Sequence, residues 1–156
     1  MRKVASCPPM RHWYSARRWV EMNAEIPSRV QPTPNAVSAP YWEACARGEL
    51  SLQHCNGCQQ FQFYPRTICS HCGGTDLAWQ VVSGSGRVKS FTVVRRGISK
   101  AYAAPYVVAL IELKEGPSMM STIVGSEPEV VAIGASVQVG FEAWSEDIQM
   151  PVFSLT

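Results

Sequence analysis

The sequence of 156 residues predicts a mainly β protein in which a short helix, a small metal-binding ribbon and a C-terminal barrel follow one another. Three observations predict this fold class. Two Cys-x-x-Cys pairs stand ten residues apart near the middle of the chain. A proline-rich stretch and a helix signal precede them, and β-branched and aromatic runs separated by glycine turns follow them. A chain of this length has room for one domain and one small module.

Composition and charge limit the class of protein. The chain carries 14 Lys and Arg against 12 Asp and Glu, a net charge of +2, and 46% of its residues are hydrophobic. No apolar run approaches the ~18 residues of a membrane span, so we expect a soluble protein with no membrane partner. Six cysteines without a secretory signal favour a cytoplasmic protein over a secreted disulfide scaffold.

Residues 1–37 are predicted to form a flexible basic tail and a proline-rich linker. The first 20 residues contain five basic residues and no acid, but two adjacent prolines and the lack of an apolar core argue against a signal peptide. We expect a disordered tail or an over-extended start, with Met22 as the alternative beginning. The stretch SRVQPTPNAVSAP, from Ser28 to Pro40, is typical of an extended linker on a surface.

A short helix is expected within residues 38–48, from about Pro40 to Arg47. Ser38 can cap it, Pro40 suits its first turn, and Gly48 can adopt the left-handed conformation that commonly ends a helix. A free, buried cysteine is the expectation for the one cysteine of this helix. The apolar residues would pack in the core or, as an alternative, dock a partner: Tyr41, Trp42 and Cys45.

Residues 49–79 are predicted to form a zinc ribbon. The strands LSLQHC and QQFQFYPR lead into and out of the first Cys-x-x-Cys turn. Each such turn places two sulfurs on one side of an ion, and two turns complete a tetrahedral shell of thiolates. Four sulfur ligands leave no position for water or substrate, so the zinc would be structural and would supply folding energy. The expected ligands are Cys55, Cys58, Cys69 and Cys72.

Two other uses of these cysteines stay open at this point. A thioredoxin-like redox motif has a single Cys-x-x-Cys at the start of a helix in a βαβ unit, and the glycine and proline residues that flank both pairs disfavour it. Rubredoxin-like turns also bind iron, and the sequence separates the two metals poorly. His54 and His71 adjoin the cysteines and are expected to be neighbours of the metal rather than ligands.

Residues 80–156 carry the pattern of a small barrel. The runs GRVKSFTVVRR, YVVALIEL and SMMSTIV are rich in residues that favour strands, and MPVFSL could close the sheet. In ASVQVGFEAW, Val137, Val139, Phe141 and Ala143 alternate with other residues, which predicts one buried and one exposed face. Four or five short strands are too few for a two-sheet sandwich and fit a partly open barrel of the OB type.

Several segments match one family in the same order: a short helix, then CNGCQQFQFYPRTICSHCGG, VSGSGRVKSFTVV, PYVVALIELKEGP and IVGSEPEVVAIGASVQVGFE. From about Thr33 to the end, the chain resembles the zinc-ribbon and OB-fold family of acyl-CoA-associated proteins. The resemblance implies a non-catalytic accessory subunit that works in a hetero-oligomer beside a thiolase-fold enzyme, which is a thiolase, an aldolase or an acyltransferase of lipid or steroid metabolism. It also implies that the ribbon and helix contact that enzyme, while the barrel helps shape its acyl-CoA channel.

Two candidate surfaces accompany this resemblance. The loop RRGISKAYAAPY places Arg95, Arg96 and Lys100 between two strands, where cations could meet the phosphates of CoA. Such a cluster is also typical of a solvated hairpin end. The candidate residues for contact with the partner subunit, for which packing of the ribbon against the barrel is the alternative, are Tyr41, Trp42, Phe61, Phe63 and Tyr64.

No catalytic residue is predicted. A thiolase reaction needs a nucleophilic cysteine near a histidine base, and Cys7 and Cys45 show no such pairing in the sequence. The alternative function is binding of single-stranded nucleic acid, which zinc ribbons and OB barrels perform in other proteins. Six Lys and Arg against seven Asp and Glu from residue 80 onward argue against a basic groove. A third possible function is a scaffolding subunit that stabilises an enzyme without touching its substrate. Such a subunit would have the same sequence motifs as the accessory subunit described above.

Overall fold

The computed structural model describes residues 29–156, and the predicted basic tail, with Met22 and Cys7, lies outside them. No helix in the described part of the chain is long and apolar enough to cross a membrane. The elements follow in this order: α1 (Ala39–Ala46), β1 (Ser51–Cys55), β2 (Phe61–Gln62), β3 (Leu77–Val81), β4 (Ser85–Val94), β5 (Tyr106–Leu113), β6 (Ser118–Ile123), a 3-10 turn (Pro128–Val130), β7 (Ser136–Ala143) and β8 (Gln149–Leu155).

Helix α1 begins one residue earlier than expected, after a turn that uses Ser38 in an unexpected way. Ser38 occupies the N-cap position, but its hydroxyl accepts a 3.0 Å hydrogen bond from the Asn35 amide and makes no capping bond. The side-chain oxygen of Asn35 accepts from the amides of Val37 and Ser38. The predicted capping role of Ser38 was therefore wrong, because this Asx turn engages the hydroxyl. Gly48 adopts φ +75° just after the helix, as expected.

The ribbon is a three-stranded antiparallel sheet in the order β2-β1-β3. All five residues of its central strand β1 are buried. Strand β2 has only two residues and is much shorter than the predicted strand QQFQFYPR. Beyond β2, the side chain of Gln53 makes the backbone hydrogen bonds that a paired strand would make. Its Oε1 accepts from the Arg66 amide at 2.8 Å, and its Nε2 donates to the Arg66 carbonyl oxygen at 2.9 Å.

Strands β4 to β8 form a closed barrel in the order β4-β5-β6-β8-β7. Strand β4 pairs with β5 along most of its length and with β7 from Ser85 to Arg87. A bulge between Val88 and Ser90 lets β4 bend, so that it can pair with both β5 and β7. One parallel pairing, of Ile123 with Phe153, completes the ring. The barrel is thus closed, whereas the sequence predicted a partly open one.

Strand β7 follows the predicted alternation only at its start. Ser136 is exposed and Val137 buried, but Val139 and Phe141 are half-buried and Ala143 is exposed. The reason is that β7 pairs with β4 through its first three residues only. Beyond them, the described part of β7 pairs with β8 alone, so its side chains are flanked by a strand on one side only and stay partly exposed.

One apolar core joins the helix, the ribbon and the barrel. Tyr41 and Cys45 of α1 belong to the same cluster as Leu50 and Leu52 at the start of the ribbon. Helix α1 contacts both β1 and β8, so it lies between ribbon and barrel. The buried barrel residues of this cluster include Val88, Val107, Ala109, Ile111, Met119, Val137 and Phe153.

Candidate metal centre and adjoining surfaces

Each Cys-x-x-Cys pair lies on a tight turn. In the first turn, the Gln59 amide donates to the carbonyl of Cys55 at 2.8 Å, and Gln59 adopts a left-handed φ of 60°. In the second turn, the Gly73 amide donates to the carbonyl of Cys69 at 2.9 Å, and Gly73 has φ +75°. The same type of backbone turn therefore presents both cysteine pairs.

The four sulfur atoms lie close enough together to hold one ion. All four lie within 4.8 Å of one another; the Sγ atoms of Cys55 and Cys72 are 3.7 Å apart, and those of Cys58 and Cys69 are 3.6 Å apart. A tetrahedral zinc ion with Zn–S bonds of about 2.3 Å separates its sulfur ligands by about 3.8 Å. The geometry fits a structural zinc ion with these four ligands. A bound zinc would stabilise the fold, and its closed shell would leave no position for a substrate.

Backbone amides favour the ionised form of Cys69. Hydrogen bonds from the amides of Cys72 and of His71, the latter at 3.3 Å, lower the pKa of the Cys69 thiol. The thiolate is the form that binds a metal. The Nε2 atom of His71 lies 3.2 Å from the carbonyl oxygen of Phe61, and the His54 ring packs on the Phe61 ring at 4.8 Å. Neither histidine belongs to the metal-binding group, in agreement with the expectation.

Two buried glutamines, which the sequence analysis did not identify, support the second turn. Gln62 Nε2 donates to Gln53 Oε1 at 2.8 Å, and Gln62 Oε1 accepts from the Ser70 amide at 2.7 Å. The two residues are only 3% and 6% exposed. In the sequence both glutamines alternate with apolar residues, as exposed strand residues do, so the pattern gave no sign of their burial.

A cavity of about 460 Å³ opens between α1, the ribbon and the barrel. It brings together four of the five candidate docking residues. Tyr41 is only 4% exposed, and its ring centroid lies 5.0 Å from that of Trp42 and 5.7 Å from that of Phe63, whereas Tyr64 is 56% exposed. Phe61 is the exception and lies outside the cavity. The barrel supplies other parts of the wall, among them Val108, Met119, Met120, Ser121, Trp144 and Met150.

The three candidate CoA-binding residues lie in the loop between β4 and β5, because β4 ends at Val94 and not at Arg96 as predicted. Arg95 pairs with Glu129 at 3.2 Å, and both side chains are mostly exposed. Arg96 and Lys100 are exposed and make no ion pair within residues 29–156. Among the described residues, two cations of this basic loop, residues 95–105, therefore have no compensating acid.

A cluster around Arg29 connects the basic loop to the cavity. Arg29 pairs with Glu142 at 2.9 Å, and its guanidinium lies 5.0 Å from the ring centroid of Trp144 and 5.7 Å from that of Tyr102. Tyr102 belongs to the basic loop, and its ring lies 6.3 Å from that of Trp144, which lines the cavity. The sequence carried no signal for this cluster, since Arg29 and Glu142 are 113 residues apart.

Family models match both parts of the described chain. Residues 42–78 match the rubredoxin-like zinc ribbon domain of ChsH2, and residues 79–142 match the C-terminal OB-fold domain of ChsH2. The first match agrees with the four-sulfur geometry and supports zinc over the iron and redox alternatives. The second agrees with the closed five-stranded barrel.

Similar proteins match most of the described chain. The chain is 32% identical over 135 residues to the probable enoyl-CoA hydratase alpha subunit of Thermomonospora curvata, and the match covers 85% of this chain but only 42% of that protein. It is 33% identical over 110 residues to a DUF35 domain-containing scaffold protein of Methanothermobacter thermautotrophicus, covering 69% of this chain and 83% of that protein. A solved structure of an Ltp2-ChsH2(DUF35) aldolase superposes with a TM-score of 0.74 at 32% identity, covering 80% of this chain and 98% of that one.

The matches agree with one another along the chain. The ribbon and the barrel follow in the same order as the two ChsH2 domain models, and together these models span residues 42–142. The scaffold protein matches at similar identity over most of its own length. The chain therefore belongs to the ChsH2 (DUF35) family of zinc-ribbon and OB-fold proteins.

Proposed function

We propose that this chain is a non-catalytic accessory subunit that docks on a thiolase-fold enzyme and helps form the channel for its acyl-CoA substrate. The observation that carries the proposal is the cavity that α1 and the ribbon enclose against the barrel. One face of the molecule is therefore both concave and apolar, which is typical of a surface that another molecule covers.

The docking surface is proposed to surround the mouth of this cavity. Tyr64 and Met120 line the cavity and are 56% and 62% exposed, and Ile68 on the ribbon is 51% exposed. Large exposed apolar side chains of this kind are favoured at protein interfaces. Tyr41 is too deeply buried to provide contact area and would instead shape the cavity. The similar aldolase is named for two proteins, Ltp2 and ChsH2(DUF35), which supports a hetero-oligomer here.

Bound acyl-CoA is proposed to extend from the basic loop to the cavity. The exposed Arg96 and Lys100 would meet the phosphates, since guanidinium and ammonium groups bind phosphate oxygens. Tyr102 and Trp144 link that loop to the cavity wall. A CoA thioester has this order of groups, with charged phosphates at one end and an acyl group at the other.

Co-purification tests the proposal. The tagged full-length chain is isolated from its native host, its zinc is quantified, and accompanying proteins are identified by mass spectrometry. We expect about one zinc per chain, from the four-cysteine site, together with a thiolase-fold enzyme. Tyr64→Asp should release the enzyme, whereas Ile133→Asp, at a residue that is 71% exposed away from the cavity, should not. Bound nucleic acid in place of an enzyme would overturn the proposal in favour of single-strand binding.

A further inference from the structure

The contacts that the basic loop makes within itself are local. Ser99 shapes one turn, since its Oγ accepts from the Ala101 amide at 3.2 Å and its carbonyl oxygen accepts from the Tyr102 amide at 3.1 Å. The Arg95–Glu129 pair at the start of the loop is largely exposed, and exposed ion pairs stabilise a fold little. Because ordering a backbone costs conformational entropy, the loop depends on other segments of the chain to keep one conformation.

Arg29 contacts the loop from a distant segment of the sequence. Its Nε donates to the carbonyl oxygen of Ala101 at 3.4 Å, and its guanidinium lies 5.7 Å from the ring centroid of Tyr102. On the barrel side, the guanidinium lies 5.0 Å from the ring centroid of Trp144 and pairs with Glu142 at 2.9 Å. A guanidinium within about 6 Å of an aromatic ring is attracted to it. Arg29 therefore connects two adjacent loop residues to the end of β7.

The two exposed cations of the loop stand beside the residues that Arg29 contacts. Lys100 directly precedes those residues in the sequence. Arg96 is followed by Gly97, and a Cβ atom at Gly97 would overlap the carbonyl oxygen of Tyr102. The backbone next to Arg96 therefore packs closely against Tyr102. Both cations are thus carried by backbone whose position depends on the contacts of Arg29.

Arg29 is itself poorly suited to bind a phosphate. Its charge is compensated by Glu142 at 2.9 Å, and its side chain is only 34% exposed. A phosphate that bound Arg29 would have to compete with this carboxylate. Arg96 and Lys100, by contrast, are exposed and make no ion pair in the part of the chain that the structure describes. Any effect of Arg29 on an anionic ligand is therefore exerted through the loop.

We infer that Arg29 is a positioning residue, which holds the basic loop in one conformation that presents Arg96 and Lys100 together to the phosphates of CoA. The use of the loop for CoA rests on the proposed function, whereas the ordering of the loop rests on the contacts of Arg29. A loop that is ordered before the ligand arrives loses less freedom on binding. If loss of these contacts leaves the loop in the binding conformation about one fifth of the time, the dissociation constant rises about fivefold.

Hydrogen exchange in the full zinc-loaded chain tests the ordering of the loop. The amides of Ala101 and Tyr102 are hydrogen-bonded within the loop, so their exchange rates report its opening. Arg29→Ala should accelerate the exchange of loop peptides several-fold. Arg47→Ala is the matched control, because it removes an arginine that pairs with Glu49 at the end of the helix, and it should leave loop exchange unchanged. Unchanged loop exchange in Arg29→Ala would overturn the inference.

A double-mutant cycle tests whether Arg29 acts through the loop cations. CoA is titrated by calorimetry into the proposed complex, prepared with the wild-type chain, Arg29→Ala, Arg96→Ala combined with Lys100→Ala, or all three changes. Arg29→Ala should raise the dissociation constant about fivefold in the wild-type loop but less than about 1.5-fold once both cations are absent. Equal increases in the two backgrounds would mean that Arg29 contacts CoA or alters the whole complex, and would overturn the positioning role.

Gly97→Ala is an independent variant that changes the loop from within. The added methyl group would overlap the Tyr102 carbonyl oxygen, so the loop must shift while Arg29 remains in place. We expect weaker CoA binding in Gly97→Ala as well, again only while Arg96 and Lys100 are present. Unchanged CoA binding in Gly97→Ala would show that the conformation of the loop does not matter, and would overturn the inference.

Failure of this inference is distinguishable from failure of the proposed function. If Arg29→Ala accelerates loop exchange but the wild-type complex does not bind CoA, or no enzyme co-purifies, the proposed function is wrong and the ordering of the loop by Arg29 stands. If CoA binding depends on Arg96 and Lys100 but Arg29→Ala changes neither loop exchange nor affinity, the inference is wrong and the proposed function stands.

Discussion

Gln53 and Gln62 meet inside the ribbon, where Gln62 Nε2 donates a 2.8 Å hydrogen bond to Gln53 Oε1. Gln53 also bonds the backbone of Arg66, and Gln62 accepts from the amide of Ser70. These two backbone positions flank Cys69 in the sequence. The glutamine pair therefore holds the segment that delivers the second half of the metal site.

Gln62→Leu should loosen this segment and accelerate the loss of zinc. The substitution removes the part-buried hydrogen bond between Gln62 and the Ser70 amide, which typically contributes about 0.5–1.5 kcal/mol of stability. Urea unfolding and the rate of zinc transfer to a chromophoric chelator measure the two effects. Gln60→Leu, at an exposed neighbouring glutamine, is the matched control and should change neither. Equal zinc-transfer rates in the two variants would show that the pair does not position the site.

The metal ligands and several strands could be predicted because their signals are local. A Cys-x-x-Cys turn brings its own two sulfurs together through hydrogen bonds within a few residues, as at Cys55 and Cys69. The run YVVALIEL predicted β5 with the bounds observed, from Tyr106 to Leu113, since its β-branched residues favour a strand wherever it packs.

The remaining features depend on contacts between distant segments, which local patterns do not encode. Barrel closure requires the parallel pairing of Ile123 with Phe153, and no sequence pattern at either residue predicts this pairing. The two glutamines of the ribbon look like exposed strand residues until the loop around Cys69 folds over them. Arg29 meets Tyr102 and Trp144 across 73 and 115 residues of sequence, so the link between the basic loop and the cavity could not be predicted.

Cys69→Ser should abolish zinc binding and lower the thermal midpoint of the whole chain. Zinc supplies folding energy to small ribbons, and the ribbon shares its core with α1 and the barrel through Leu52 and Tyr41. Elemental analysis and a thermal scan by circular dichroism are the measurements. Cys45→Ala, which removes a buried cysteine outside the metal site, should retain the metal. Zinc retained by Cys69→Ser would contradict the four-sulfur assignment.

The stability of the protein should fall at alkaline pH, in part because of Cys45. Burial raises the pKa of the Cys45 thiol to about 11, and burial likewise raises the pKa of the neighbouring Tyr41. A group with a raised pKa in the folded state stabilises the fold below its unfolded pKa, which for a thiol is about 8.5, and that stability is lost as the pH rises towards 11.

Cys45→Ala isolates this contribution. Urea unfolding of the zinc-loaded protein at about pH 8, 9.5 and 10.5 should show a shallower decline for Cys45→Ala than for the wild type, by up to about 2 kcal/mol over the range. The smaller side chain changes the free energy of unfolding by the same amount at every pH. Only the slopes of unfolding free energy against pH are therefore compared between Cys45→Ala and the wild type. Parallel curves would mean that Cys45 does not remain protonated in the fold.

Within the proposed complex with a thiolase-fold enzyme, Arg96→Ala combined with Lys100→Ala should raise the KM for acyl-CoA while leaving kcat nearly unchanged. Both side chains are exposed and unpaired in the described structure, whereas Arg95 is already engaged by Glu129. Two exposed charge contacts at about 0.5–1 kcal/mol each would raise the KM roughly 5- to 30-fold, and added salt should reduce the difference.

The matched control for the basic loop is Arg87→Ala combined with Lys89→Ala, which removes the same charge from β4, where Arg87 bonds the Gly134 carbonyl and Lys89 pairs with Glu112. A thioester of N-acetylcysteamine lacks the phosphates, so its KM should not respond to the Arg96 and Lys100 changes. If the loop variant raises the KM of both thioesters equally, the loop affects the structure of the complex and does not bind the CoA phosphates. If the β4 variant has the same effect as the loop variant, net charge steers the substrate and no phosphate site exists at the loop.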